Sequence, residues 1–260
     1  MEAIIEQLPA FSLVLVRVLA FFTTMPLFSY RTIPNQFKVG LAFFLALAIF
    51  PALDAPLITV DGEYILLLLK EVMLGLAIGL IATIMLYAVQ TAGMFLDISF
   101  GFLVANVVDP QTGAQSPLFG GYFYAFALLM LLAVNGHHLL LDGIYYSYSF
   151  VPIDQTGLAF GDEAVVTHVA EAFNQMFILA FQLAFPLVGS LFLVDLALGI
   201  MARAVPQMNV FVVGLPLKIA AGLPLLVVAI PGMFLAIQYL YEDMFHVSRG
   251  LLELLGEGQE

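Results

Sequence analysis

Long apolar runs separated by short polar breaks set the pattern of this chain. Six runs stand out, at about Leu8–Phe28, Val39–Leu53, Tyr64–Phe95, Leu118–Leu141, Ala164–Met201 and Val210–Tyr241. A helix needs roughly 20 apolar residues to cross the hydrocarbon core of a bilayer. Backbone polar groups in lipid must be satisfied within their own segment, so these runs predict helices. The third and fifth are longer than one crossing requires. The fourth contains the tight stretch NGHH (Asn135–His138) and leads into YYSYSFVPI. The sixth carries Pro216, Pro224 and Pro231, which predict kinks supported by neighbouring helices. A short acidic amphipathic tail follows Tyr241. The pattern predicts an all-α polytopic membrane protein of about six long, kinked helices, with no soluble domain.

The breaks differ in character. RTIPNQFK (Arg31–Lys38), the acidic DAPLITVDGE after Leu53, Asp154–Glu163 and ARAVPQMN (Ala202–Asn209) read as turns. The stretch Leu96–Pro117 is different. Its NVVDPQTGAQSP (Asn106–Pro117) holds one charge, two prolines, one glycine and five side-chain amides or hydroxyls. Pro110 removes a backbone donor and Gly113 permits a tight turn. The amides and hydroxyls can satisfy the loop locally. Irregular backbone at membrane depth is tolerated only inside protein or beside a water-filled cavity. An apolar stretch joined to such a loop can close a pore by dewetting. On the residues alone, an ordinary interhelical loop is the simpler reading.

Two helices carry polar stripes. At about 100° per residue, Glu71, Gly75, Gly79, Ala82, Leu86, Gln90, Gly93 and Asp97 share one sector of the third run. Gly75 and Gly79 form a GxxxG, which lets a second backbone approach closely in lipid. In the fifth run His168, Glu171, Gln175, Gln182, Pro186 and Gly189 share a face. Ionisable groups at mid-membrane are costly, so these faces are expected to meet protein or water rather than lipid. A pathway lined by Glu71, Gln90, Asp97, Glu171 and Gln182 is one reading, and a helix–helix interface is the other. Arg17 is expected to pair with a carboxylate on another helix, whose identity the sequence leaves open. Asp195 and Lys218 invite an ion pair. Lys70 and Glu71, near a helix end, are expected to snorkel to the interface.

Composition sharpens the class. The chain of 260 residues is 63% hydrophobic and 10% charged, where soluble domains are about half apolar and about a quarter charged. The absence of cysteine removes disulfides, thiolate metal sites and cysteine nucleophiles. With no tryptophan, any aromatic belt falls to tyrosine and phenylalanine. A net charge of −12 disfavours nucleic acid and anionic lipid surfaces as partners. The start, MEAIIEQLPAFSL, is acidic and lacks a clear cleavage site, so the first run is expected to be retained. Basic residues at Arg31/Lys38 and Arg203/Lys218 fall on one side of six crossings. The positive-inside rule makes that side cytoplasmic, with both termini outside.

No constellation for catalysis emerges. His137–His138 lacks the further ligands of a zinc site and reads as an interfacial pair. There is no GxxxxGK[ST] phosphate loop and no GxSxG elbow. No GxGD surrounds Asp97 or Asp195. Neither an enzyme nor a cofactor is expected.

Five stretches together carry a resemblance. They are RVLAFFTTMPLFSYRTIPNQFKVGLA (Arg17–Ala42), GLAIGLIATIMLYAVQTAGMFLDISFG (Gly75–Gly101), VDPQTGAQSP (Val108–Pro117), NGHHLLL (Asn135–Leu141) and RAVPQMNVFVVGLPLKI (Arg203–Ile219). In this order they resemble the FliR family of the bacterial type III export gate, flagellar branch, whose virulence-secretion counterpart is SctT. The resemblance spans nearly the whole chain. The VDP-Q-x-G-A-x-x-P loop and the P-Q-x-N-V-F…G-x-P-x-K turn are its specific parts.

The resemblance implies one copy assembled with several copies of FliP and FliQ homologues, close to FlhB and FlhA homologues, in the bacterial inner membrane at the flagellar basal body. Unfolded export substrates would pass through the pore so formed. It implies that residues 1–153 resemble a FliP unit. Residues 164–241 would form a FliQ-like hairpin with its tip at Arg203, Pro206, Asn209 and Lys218, followed by the acidic tail 242–260. It also implies that much of the assembled gate stands above the bilayer, which suits the overlong third and fifth runs. The segment near 101–117 would project into the channel and plug it, with Phe100, Phe102, Val104, Val107, Asp109, Pro110 and Gly113 as candidate plug residues. Val104 and Val107 stand where the family is expected to carry phenylalanine, so this seal would lean on Phe100 and Phe102. The alternatives are the virulence-type homologue and an ion-coupled secondary transporter using Glu71, Asp97 and Glu171.

Overall fold

The computed structural model describes residues 2–30, 32–53, 55–102, 117–157, 161–207 and 209–257. All regular structure among them is helical: α1 (Glu2–Thr24), α2 (Asn35–Ile49), a 3-10 turn (Phe50–Ala52), α3 (Gly62–Phe100), α4 (Leu118–Ala133), α5 (Gly136–Phe150), α6 (Glu163–Ala204) and α7 (Val210–Glu257). Among the described residues, five helices are long and apolar enough to span a membrane, or six if α4 and α5 are one bent span. The protein is therefore a polytopic, all-α membrane protein.

Three details differ from the pattern in the sequence. The fourth run is two helices that meet at 73°. Asn135 makes the bend, with φ of 58°; asparagine tolerates this left-handed region better than most residues. The stretch YYSYSF continues α5 rather than leaving it. The acidic tail continues α7 to Glu257, despite Pro216, Pro224 and Pro231 within that helix. Nothing between Tyr241 and Glu242 breaks the helix, and the tail buries Met244, Val247, Leu251 and Leu255 along one face.

The described residues fall into two compact units. The first comprises Met1–Met85, Leu131–Phe173 and Glu242–Glu260. Its core includes Leu13, Phe21, Phe22, Met25, Leu74, Ile81 and Leu131. Gly75 and Gly79 let α3 lie directly on α1. A β-carbon at Gly75 would sit 2.8 Å from the Ala20 β-carbon and 2.9 Å from the Phe21 nitrogen, and closer still to the Arg17 carbonyl. One at Gly79 would sit 2.9 Å from the Phe21 carbonyl. The end of α7 docks on α6 in the same unit, where His168 Nε2 donates to the Val247 carbonyl at 2.9 Å and its ring fills the space above Gly250.

The second unit comprises Leu86–Met130 and Asn174–Tyr241. Leu86, Leu96, Phe100, Ala127, Leu187, Leu191 and Leu240 lie in its core. The Phe100 ring occupies the space a side chain at Gly222 would need, and Tyr241 Oη donates to the Ala127 carbonyl.

Candidate functional site

The polar loop read from the sequence leaves α3 after Phe100 and rejoins the chain at Pro117. Val104, Val107, Asp109, Pro110 and Gly113 lie outside the described residues. The two roots of the loop are described, and both belong to the second unit. Gly101 takes a φ of 83° at the end of α3, a conformation open to glycine without strain. Phe100 stacks on Phe102 with ring centroids 5.6 Å apart and meets Phe119 at 5.0 Å. Phe102 also meets Phe119, which stacks on Phe123 at 5.8 Å. Four aromatic rings from the two roots thus form one cluster.

Polar contacts reinforce it. Asp97 is buried. Its carboxylate accepts the backbone N–H of Phe119 at 3.0 Å and that of Gly120 at 3.2 Å, in the first turn of α4. Gly93, one turn earlier, seats the same turn: a β-carbon there would lie 2.6 Å from the Gly120 nitrogen. A β-carbon on Gly120 would in turn lie 3.1 Å from the Gln90 carbonyl. Gln90, Gly93 and Asp97 of the sequence stripe therefore form the seat of α4. No cation among the described residues lies within ion-pair distance of Asp97.

The other end of the stripe belongs to the first unit. Arg17, Lys70 and Glu71 are all buried. Arg17 donates from Nε to Glu71 Oε2 and from Nη2 to Oε1 at 2.8 Å, a two-pronged pair. It also donates to Ser147 Oγ at 2.9 Å and to the Val151 carbonyl at 3.0 Å. Its guanidinium lies 3.8 Å from the centre of the Tyr148 ring, an additional cation–π contact. Lys70 Nζ lies 2.8 Å from Glu71 Oε1 and donates to the carbonyls of Pro152 at 2.7 Å and Ile153 at 3.0 Å. Two cations thus share one carboxylate. The carbonyls just past the end of α5 supply further negative potential, as helix C-termini do. Lys70 and Glu71 do not snorkel: the 151–153 segment covers them and offers Lys70 acceptors inside the protein.

The remaining candidates lie apart from these two clusters. Glu171, Gln175 and Gln182 are exposed on α6. Asp195 and Lys218 pair at 2.6 Å between α6 and α7. Arg203 is exposed in the last turn of α6, and Pro206 and Asn209 are exposed in the connection that follows, where the Asn209 carbonyl accepts the N–H of Val212 and Val213 at the start of α7. His137 and His138 stack with centroids 4.1 Å apart. Among the described residues no three His, Asp or Glu side chains gather as a metal site would need. Sequence reasoning missed Ser147, Tyr148, Phe119, Gly120 and Gly222. The one available signal lay at α4, where neither Pro117 nor the first turn LFGG carries a side chain that accepts its N–H groups.

A family model described as "Bacterial export proteins, family 1" matches residues 8–244. The chain belongs to that family, one of export proteins rather than enzymes. It is 52% identical over 257 residues to the flagellar biosynthetic protein FliR of Bacillus subtilis, covering 98% of this chain and 99% of that one. FliR of Escherichia coli is 30% identical over 242 residues, covering 93% and 92%. The Yop proteins translocation protein T of Yersinia pestis is 31% identical over 256 residues, covering 96% and 93%.

Proposed function

We propose that this chain is a structural and gating subunit of a flagellar type III protein export channel. It sits in the bacterial inner membrane at the flagellar basal body, built together with FliP and FliQ homologues, with FlhB and FlhA homologues close by. Unfolded flagellar proteins pass through the channel, and this subunit hydrolyses nothing. The observation that carries the reading is the 52% identity to FliR of Bacillus subtilis over 98% of the chain. The 31% identity to the Yersinia protein is lower, which favours the flagellar role over the virulence one.

The surface supports a life in a larger assembly. Of the apolar stretch in α3, 61% is buried, against 28% in α6 and 17% in α7. Both long helices of the 164–241 hairpin turn large apolar side chains outward, among them Phe177, Phe181, Phe192 and Val228. The polar face of Glu171, Gln175 and Gln182 also points out of this chain, and a carboxylate there favours protein or water over lipid. In this reading the segment near 101–117 occludes the channel at rest, with Phe100 and Phe102 at its root.

Native mass spectrometry of the chain, released gently from its own membrane, tests the assembly. The expected particle holds one copy with several copies of two other small membrane proteins. A monomer or homodimer, under conditions that preserve other membrane complexes, contradicts the reading and favours a self-sufficient transporter.

A further inference from the structure

We propose that Asp97 is the positioning residue of the loop roots: its carboxylate caps the start of α4 and holds the Phe100–Phe102–Phe119–Phe123 cluster together. The first N–H groups of a helix have no partner within the helix. Here the residue before α4 is Pro117, which offers no capping side chain, and the first turn LFGG carries no acid. Asp97, from a different helix, takes the N–H groups of Phe119 and Gly120. The partial positive charge of a helix N-terminus suits an anion, and Asp97 is buried with no cation at ion-pair distance among the described residues.

The neighbouring contacts fit this assignment. Gly93 and Gly120 bring the two backbones close enough for a side chain as short as aspartate to reach. Phe119, whose N–H Asp97 holds, is the residue whose ring touches both Phe100 and Phe102. A shift of the α4 first turn therefore moves the aromatic contact directly. Asp97 then acts through Phe119 rather than on a passing substrate or ion. The role deepens the channel reading above and, for its effect on conductance, rests on it.

The test compares Asp97→Asn and Asp97→Ala in the intact complex with two readouts. Amide hydrogen exchange over residues 118–124 reports on the cap itself. Asp97→Ala is expected to speed exchange at Phe119 and Gly120 roughly fivefold to tenfold, the size of a lost cap. Asp97→Asn, which keeps one acceptor oxygen in place, falls between it and the parent protein. Exchange around Arg17 stays unchanged. Leak of small solutes through assembled complexes is the second readout, expected in the order Ala above Asn above parent. Should Asp97→Ala not accumulate, the near-isosteric Asn variant still carries the exchange test. Unchanged exchange at Phe119 and Gly120 overturns the assignment. Faster exchange without leak supports the cap and counts against the channel reading instead, so the two fail separately. Equal defects in Asn and Ala, with exchange unaltered, would mark Asp97 as a carboxylate that meets ions.

Discussion

Glu71 and Asp97 are two buried carboxylates on one face of α3, and their surroundings have little in common. Glu71 is held by charges: two basic side chains, one of them two-pronged, with Ser147 and three backbone carbonyls completing the shell. Asp97 is held by backbone alone, through two amides at the start of α4. The first arrangement ties α1, α3 and α5 into one body, and removing Glu71 leaves two buried cations without a carboxylate. The second fixes one helix start, and removing it leaves two amides without partners. The joint between α1, α3 and α5 and the joint at the start of α4 are thus built with different strengths.

Substitutions should separate the two. Glu71→Ala leaves Arg17 and Lys70 buried without their carboxylate, a loss of about 3–5 kcal/mol; the chain should fail to accumulate in membrane fractions. Changing Arg17 and Glu71 together to Met removes one of the two stranded charges and leaves Lys70 with only the Pro152 and Ile153 carbonyls, so accumulation should recover in part. If the double variant is as poor as Glu71→Ala, the cluster does more than balance charge.

The glycines test the packing at each site. Gly75→Ala and Gly93→Ala each place a β-carbon within 3 Å of a neighbouring backbone, an overpacking expected to cost about 1–3 kcal/mol. Thermal unfolding in detergent should show a lower Tm for both. Gly232→Ala, where a β-carbon meets nothing within 4 Å, should lower it in no way. Asp97→Ala ranks next, at about 0.5–2 kcal/mol for a lost cap, well short of Glu71→Ala. Lys218→Ala comes last. Its partner Asp195 is 46% exposed, so the pair is worth up to about 1 kcal/mol, and Tm should barely move.

The helices were legible because apolar run length alone marks them. The bend at Asn135 was present as NGHH, an Asn-Gly turn signal inside an apolar run. The run's length argued for a single span, and local backbone preference overrode it. The tail after Tyr241 looked separate because its charges interrupt the hydropathy, yet its apolar residues kept helical spacing. Arg17 and Glu71 could each be recognised as needing a partner, but pairing them depends on how α1 and α3 pack. Lys70 was misplaced for the same reason: the 151–153 segment that covers it lies far along the chain. Asp97 was visible as a membrane carboxylate, while its partners are backbone amides, which carry no signature in sequence. The one hint was that neither Pro117 nor the first turn of α4 carries a side-chain acceptor.

The conductance of assembled complexes after removal of residues 103–114 tests the central claim most directly. With the subunits present in their normal proportions, the account expects small solutes to leak through complexes that are closed in the parent. Unchanged conductance with normal assembly would contradict it, leaving the segment as a connection between α3 and α4 that closes nothing.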